Sequence, residues 1–184
     1  MKQPPSVVII SYGCDQPFYD EFKQLGYPLR LIKGIPTVDE IPVNALIIFD
    51  DMQEYASLIE PFFTKYVHHL RISVIYITQN LYLKHNRTIT LNSLYIILFK
   101  SPRCKRQIQT ISQQMAPGDS KWIINAYATA TQLPHTYLLF DYNQMTSEDA
   151  RIRDDIVPQD STVYVNDPTL YPKFDIYSYV ASLH

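Results

Sequence analysis

The chain has 184 residues, 46% of them hydrophobic, which is enough apolar mass for a folded core and too much for wholesale disorder. Its formal net charge of −2 excludes a uniformly basic coat for nucleic acid and leaves room for a local patch. Two cysteines, Cys14 and Cys104, can build neither a disulfide framework nor a zinc knuckle, and they fit a reducing compartment.

Residues 1–5 lead straight into a strand-like run without the apolar core of a secretory signal. No stretch approaches the roughly 20 apolar residues that span a bilayer. Residues 6–11 read as a β-branched strand that Tyr12 and Gly13 end. Residues 16–25 read as a short helix stopped by Gly26, residues 29–33 as a weaker strand, and residues 34–42 as a connecting loop. Residues 45–49 are apolar without a break, the pattern of a strand buried on both faces, and Asp50 and Asp51 tip its carboxyl end. Residues 54–69 carry Leu58, Ile59, Phe62, Phe63, Tyr66 and Val67 at helical spacing, with Pro61 set to kink or break the helix. A strand over 72–78 ends at Gln79 and Asn80. Further strands are predicted over 93–99, 136–140 and 162–165, and helices over 104–115 and 121–131. The sequon at Asn86 is read as a chance match. Strands alternating with helices at this interval predict βαβ units and a mostly parallel sheet, in one α/β domain over 1–167 with a packed arm over 168–184.

Paired acids at a strand's carboxyl end sit where open α/β sheets bind ligands. They have the form of the Mg²⁺-holding strand of P-loop NTPases, in which the first acid holds the ion through water and the second orients or deprotonates the attacking water. The plainer reading of Asp50 and Asp51 is as cap and first-turn charges for the following helix. Gln79 and Asn80 end the next strand, where an amide can bond both a γ-phosphate and a water; the plainer reading is a polar strand terminus. The phosphate cradle Gly-x-x-x-x-Gly-Lys-Ser/Thr is absent: none of Gly13, Gly26, Gly34 and Gly118 precedes Lys-Ser or Lys-Thr at that spacing. Half of a nucleotide site is visible.

His68, His69 and Arg71 precede the strand that ends in Gln79. Arg71 reads either as an arginine finger reaching a neighbouring subunit or as part of a basic helix terminus. Adjacent histidines point about 100° apart on a helix, which argues against a dinuclear metal site built from them. Lys100, Arg103, Lys105 and Arg106 read equally as a phosphate-binding group for DNA or nucleotide and as a solvated face. Arg151, Arg153, Asp154 and Asp155 read as surface ion pairs.

Three stretches carry a resemblance: residues 46–52, residues 63–69 and residues 72–81. It continues through residues 87–95, 98–103, 113–118, 137–141 and 151–158, and begins at Ile9–Gly13 with Gln16, Pro17, Phe18 and Tyr19. The pattern resembles the poxvirus-type genome-packaging ATPases of the FtsK–HerA superfamily, most of all those of Polinton/Maverick-type elements and related small DNA viruses. The resemblance implies a P-loop NTPase-like fold of the RecA/ASCE type, lacking the phosphate-loop strand and helix that precede residue 7 in the family. That strand is expected between the strand ending in Gln79 and the strand over 93–99. The implied activity is an ATP-driven motor, usually a ring, that moves double-stranded DNA into a preformed capsid at its portal vertex. By resemblance Asp50 holds Mg²⁺, Asp51 is the catalytic acid–base position, Gln79 senses the γ-phosphate with Asn80 beside it, and Arg71 is the candidate trans-acting finger. The family usually places Arg directly after the His pair, whereas Leu70 intervenes here, so Arg87 and Arg103 stand as alternatives. Mg²⁺ and ATP are the implied cofactors, held weakly or not at all by this chain alone. Three outcomes follow for the sheet: re-pairing with fewer strands, a second chain that supplies the missing strand, or a remnant. The alternative function is a non-catalytic structural or interaction protein that keeps the fold. The implied location is intracellular, in nucleus or cytoplasm, or with the virion, and not secreted.

Overall fold

The computed structural model describes residues 4–24, 26–103, 105–157 and 161–167. Leu25, Cys104 and the arm over 168–184 therefore lie outside the described residues. The chain divides into two compact units, Met1–Asn92 and Ser93–His184.

The first unit is an α/β layer built on four parallel strands: β1 (Val8–Tyr12), β2 (Leu29–Lys33), β3 (Leu46–Asp50) and β4 (Ser73–Ile77), in the order β2-β1-β3-β4. The register sets Ile9, Ile47 and Val74 abreast, and Ser11, Phe49 and Tyr76 abreast two residues on. This face builds the core with Met52, Ile59 and Phe62. The Phe62 ring meets Phe49 edge-on, with centroids 4.9 Å apart. Full burial of each such ring is worth about 1.5–3 kcal/mol.

The predicted long helix after β3 is broken. A 3-10 turn over Gln53–Tyr55 precedes α2 (Ala56–Pro61), a π-helical turn covers Phe62–Tyr66, and α3 (Val67–Leu70) follows. Pro61 has no N–H to donate and its ring crowds the carbonyl four residues back; the widened turn immediately after it absorbs that misfit. Helix α1 (Tyr19–Lys23) is shorter than predicted. Helix α4 (Asn86–Asn92) was not predicted: its apolar Ile89 and Leu91 alternate, a strand-like spacing, and of these only Ile89 is buried.

The second unit contains β5 (Tyr95–Phe99), α5 (Lys105–Met115), α6 (Lys121–Ala130), β6 (Tyr137–Asp141) and β7 (Ile152–Arg153). Its strands pair antiparallel in the order β5-β6-β7, not as a continuation of a parallel sheet. Two helices, not one, connect β5 to β6. Helix α5 runs back along the strand, the turn at Pro117 and Gly118 reverses the chain, and α6 returns it, so β6 starts at the end where β5 stopped. The predicted strand over 162–165 is a single bridge from Val163 to Arg153. Arg153 also departs from the surface-pair expectation. As part of β7 it is buried, and its Nη2 donates to Asp141 Oδ2 at 3.0 Å. Arg151 does pair at the surface, with Glu148.

Candidate functional site

Parallel pairing brings the carboxyl ends of three strands level: Tyr12 on β1, Asp50 on β3 and Ile77 on β4 share one register row. Immediately beyond β3 the chain turns through a left-handed residue, Asp51, with φ of 50°. Asp accepts that conformation better than most residues because its short side chain can bond locally. The turn lets buried Met52 drop back into the core and gives the two carboxylates different surroundings.

Asp50 is half-buried, and its Oδ2 accepts a hydrogen bond of 2.7 Å from the hydroxyl of Tyr19. Tyr19 comes from α1 and is only 4% exposed. Its ring packs on Tyr12 (centroids 4.8 Å) and on Phe18 (4.5 Å). Burial first, then the bond to Asp50 and the negative charge there, push the Tyr19 phenol above its ordinary range. It therefore remains a protonated donor at neutral pH. Asp51 is exposed, and its Oδ1 accepts a long bond of 3.4 Å from Gln79 Nε2. The twin acids and the glutamine thus share one end of the sheet.

The loop between β4 and α4 sets the position of Gln79. Asn80 directs its side-chain carbonyl to the Tyr82 N–H at 2.9 Å, and its backbone carbonyl accepts from Asn86 Nδ2 at 2.7 Å. The predicted Asn80 amide thus shapes its own loop. Arg71 sits at the amino end of β4, exposed and left-handed with φ of 53°. Strand rise places it roughly 20 Å from the Gln79 end, so it does not join this cluster within one chain. Arg87 is exposed on α4, and His68 and His69 are exposed on α3.

In the second unit Lys100 follows β5 and its Nζ donates to the Gln132 carbonyl at 2.9 Å. Arg103 lies exposed in the next turn, and Lys105 and Arg106 open α5, whose first turn holds no acid. Cations at the positive end of a helix cost about 0.3–1 kcal/mol each, so this placement does not serve helix stability.

Among the described residues no group of three or more His, Cys, Asp or Glu can hold a metal ion. Mg²⁺ that arrives with a phosphate needs only one or two carboxylates, because it keeps water and phosphate oxygens as its other ligands. The Asp50–Asp51 pair fits that mode and not a resident all-protein cage. An open cleft of about 280 Å³ lined by Ser6, Val7, Pro28, Leu29, Arg30 and Pro42 lies at the amino ends of β1 and β2, away from the acids.

Tyr19 and Asn86 are the residues that sequence reading missed. Tyr19 stands in an aromatic run without periodicity, and Asn86 looked like a chance sequon. Among the described residues no helix is long and apolar enough to cross a membrane. No family model, curated protein or solved structure matches the chain.

Proposed function

We propose that the first unit is the acid-and-sensor half of a P-loop-type ATPase site, and that the chain is a subunit or remnant of a DNA-packaging motor of the FtsK–HerA superfamily. The observation that carries this reading is the meeting of Asp51 with Gln79 at the carboxyl ends of adjacent parallel strands, with Asp50 one residue away. Bound Mg²⁺·ATP would supply the electrophilic γ-phosphate and the charge neutralisation that its transfer needs. Asp50 offers the carboxylate oxygen that Tyr19 leaves unbonded. Asp51, exposed at the strand tip, takes the proton of an attacking water. Gln79 bonds Asp51 and can turn the same amide toward a phosphate oxygen.

The phosphate grip itself comes from outside these 184 residues. Strand β4 offers a place for it: it is the edge of its sheet, and Ile75 and Ile77 on it are 47% and 51% exposed. A strand–loop–helix segment carrying Gly-x-x-x-x-Gly-Lys-Ser/Thr and paired there would complete the site. The basic residues Lys100, Arg103, Lys105 and Arg106 are the DNA-contact candidates; of these, Lys105 and Arg106 open α5, where a cation does not favour helix stability.

The test is binding of a fluorescent ATP analogue with Mg²⁺. The chain alone binds weakly, and adding a polypeptide that carries the phosphate loop raises affinity and gives turnover. Asp51→Asn then abolishes turnover with affinity little changed. Micromolar or tighter binding by the chain alone overturns the shared-site reading. Indifference to Asp51→Asn in the completed complex would leave the non-catalytic structural role.

A further inference from the structure

Asn86 is 1% exposed, one of few buried polar side chains in the first unit. A buried amide is costly unless it is bonded on both sides. Its donors and its acceptor all go to the strand end and loop that carry Gln79. Nδ2 donates to the Asn80 carbonyl at 2.7 Å and, less closely, to Thr78 Oγ1 at 3.4 Å. Oδ1 faces the Tyr76 hydroxyl at 3.5 Å. The Asn86 N–H donates to the Leu83 carbonyl at 3.0 Å. Residues 76, 78 and 80 flank Gln79 on both sides, so one side chain at the start of α4 holds the backbone after the glutamine and touches side-chain hydroxyls before it.

The loop has internal bonds among Thr78, Asn80 and Tyr82, and it also carries two unfavourable features. His85 is held left-handed, with φ of 71°. The Tyr82 hydroxyl is buried without a hydrogen-bond partner. Both features raise the energy of this loop conformation. The short bond from Asn86 on α4 to the Asn80 carbonyl, at 2.7 Å, offsets part of that cost.

We propose that Asn86 is a positioning residue for Gln79: by clamping the Asn80 carbonyl it holds the glutamine amide where it meets Asp51, and it makes α4 move with that amide. The assignment of Gln79 as a phosphate sensor rests on the function proposed above; the clamp itself does not. The chemistry is specific to asparagine. Alanine removes both donors. Aspartate keeps the volume but, ionised, sets a carboxylate against the Asn80 carbonyl and cannot donate to it.

The experiment follows the Gln79 side-chain NH₂ signal by NMR in selectively ¹⁵N-glutamine-labelled full chain, assigned by its disappearance in Gln79→Met. Asp51→Ala moves this signal from its wild-type position, because the Gln79 amide then loses its carboxylate acceptor. In the Asn86→Ala background that movement shrinks, by up to about fivefold, because losing one hydrogen bond lowers the held-to-free ratio of the amide by about that factor, while the backbone amides of β1 and β3 keep their positions. If Asn86→Ala fails to fold, Asn86→Asp carries the same test at equal volume. Asn92→Ala is the control: it removes an exposed side-chain bond from the same helix, Asn92 Nδ2 to the Thr88 carbonyl at 2.8 Å, and leaves the movement intact. The proposal is overturned if the wild-type signal ignores Asp51, if both Asn86 variants retain the coupling, or if Asn92→Ala loses it equally. Loss of coupling in the Asn86 variants, with no nucleotide bound under any condition, upholds the clamp and defeats the ATPase reading.

Discussion

The bond between Tyr19 and Asp50 gives a prediction whose size can be worked out and which fades as pH rises. Tyr19→Phe deletes one hydroxyl from a nearly closed site and changes little in shape. A hydrogen bond to a charged acceptor contributes about 1.5–3 kcal/mol; with Asp50 half-buried, about 1–2 kcal/mol is expected here at pH 7. The phenol's folded-state pKa is raised above its unfolded value. Its contribution is therefore fully present below the ordinary tyrosine pKa of about 10 and is lost as pH rises toward the folded value. At pH 11 the unfolded phenol is about 90% ionised, which lowers wild-type stability by about 1.4 kcal/mol; phenylalanine has no such loss. The gap between wild type and Tyr19→Phe should thus narrow by about 1.4 kcal/mol between pH 7 and pH 11. Trp122, the single tryptophan, lies on α6 in the second unit, so its fluorescence does not report on this one. Urea unfolding followed by far-UV circular dichroism at each pH does. A constant gap across that range, or a neutral substitution at pH 7, would refute the reasoning.

The buried pair in the second unit predicts an asymmetry: Asp141→Asn should cost about 3–5 kcal/mol by leaving the Arg153 guanidinium unpaired, whereas Asp141→Leu combined with Arg153→Met should recover most of that, as read by Trp122 fluorescence in urea. Tyr82→Phe removes a buried hydroxyl that has no partner, so it should be neutral or stabilise the first unit by up to about 1 kcal/mol; a loss larger than that would mean the hydroxyl is bonded after all. Ile75→Lys with Ile77→Lys should cost under about 0.5 kcal/mol per site, because both side chains are half-exposed, yet should block capture of an added apolar strand in a pull-down with the phosphate-loop segment.

The parts of the molecule legible in the sequence were those written as runs. The unbroken apolar stretch before Asp50 read as a strand buried on both faces; it is a strand, fully buried on the Ile47 and Phe49 face and partly on the other, and every strand of the first unit falls within two residues of its predicted place. Pro61 announced its kink, although not that a π turn would absorb it. What escaped depended on contacts distant in sequence. Tyr19 reaches Asp50 across 31 positions, a separation that no local pattern encodes. Asn86 is polar and buried, the opposite of what its residue type suggests, because its loop needs an amide inside. The antiparallel second sheet follows from counting helices between β5 and β6, and both helices were visible. Arg153 was misread because a charged cluster looks solvated until a strand carries one member inward.

The two edges of the first unit's sheet argue a further point. Strand β2 forms one edge and carries Arg30 and Lys33, both exposed, which is how natural sheets discourage further pairing. Strand β4 forms the other edge, Ser-Val-Ile-Tyr-Ile, without a charge along its length. Parallel sheets are normally covered, so an uncharged apolar edge in an otherwise parallel sheet is the unusual member of the pair. Its position matters more than its exposure. A strand added parallel to β4 would end level with Ile77, close to Gln79 and two strand positions from Asp50. Whatever follows that added strand would stand beside the Gln79 end of β4, at the sheet end that the acids share. The same geometry that leaves the sheet open therefore determines where an anion-gripping loop can enter, and an edge closed by charge would have forbidden it.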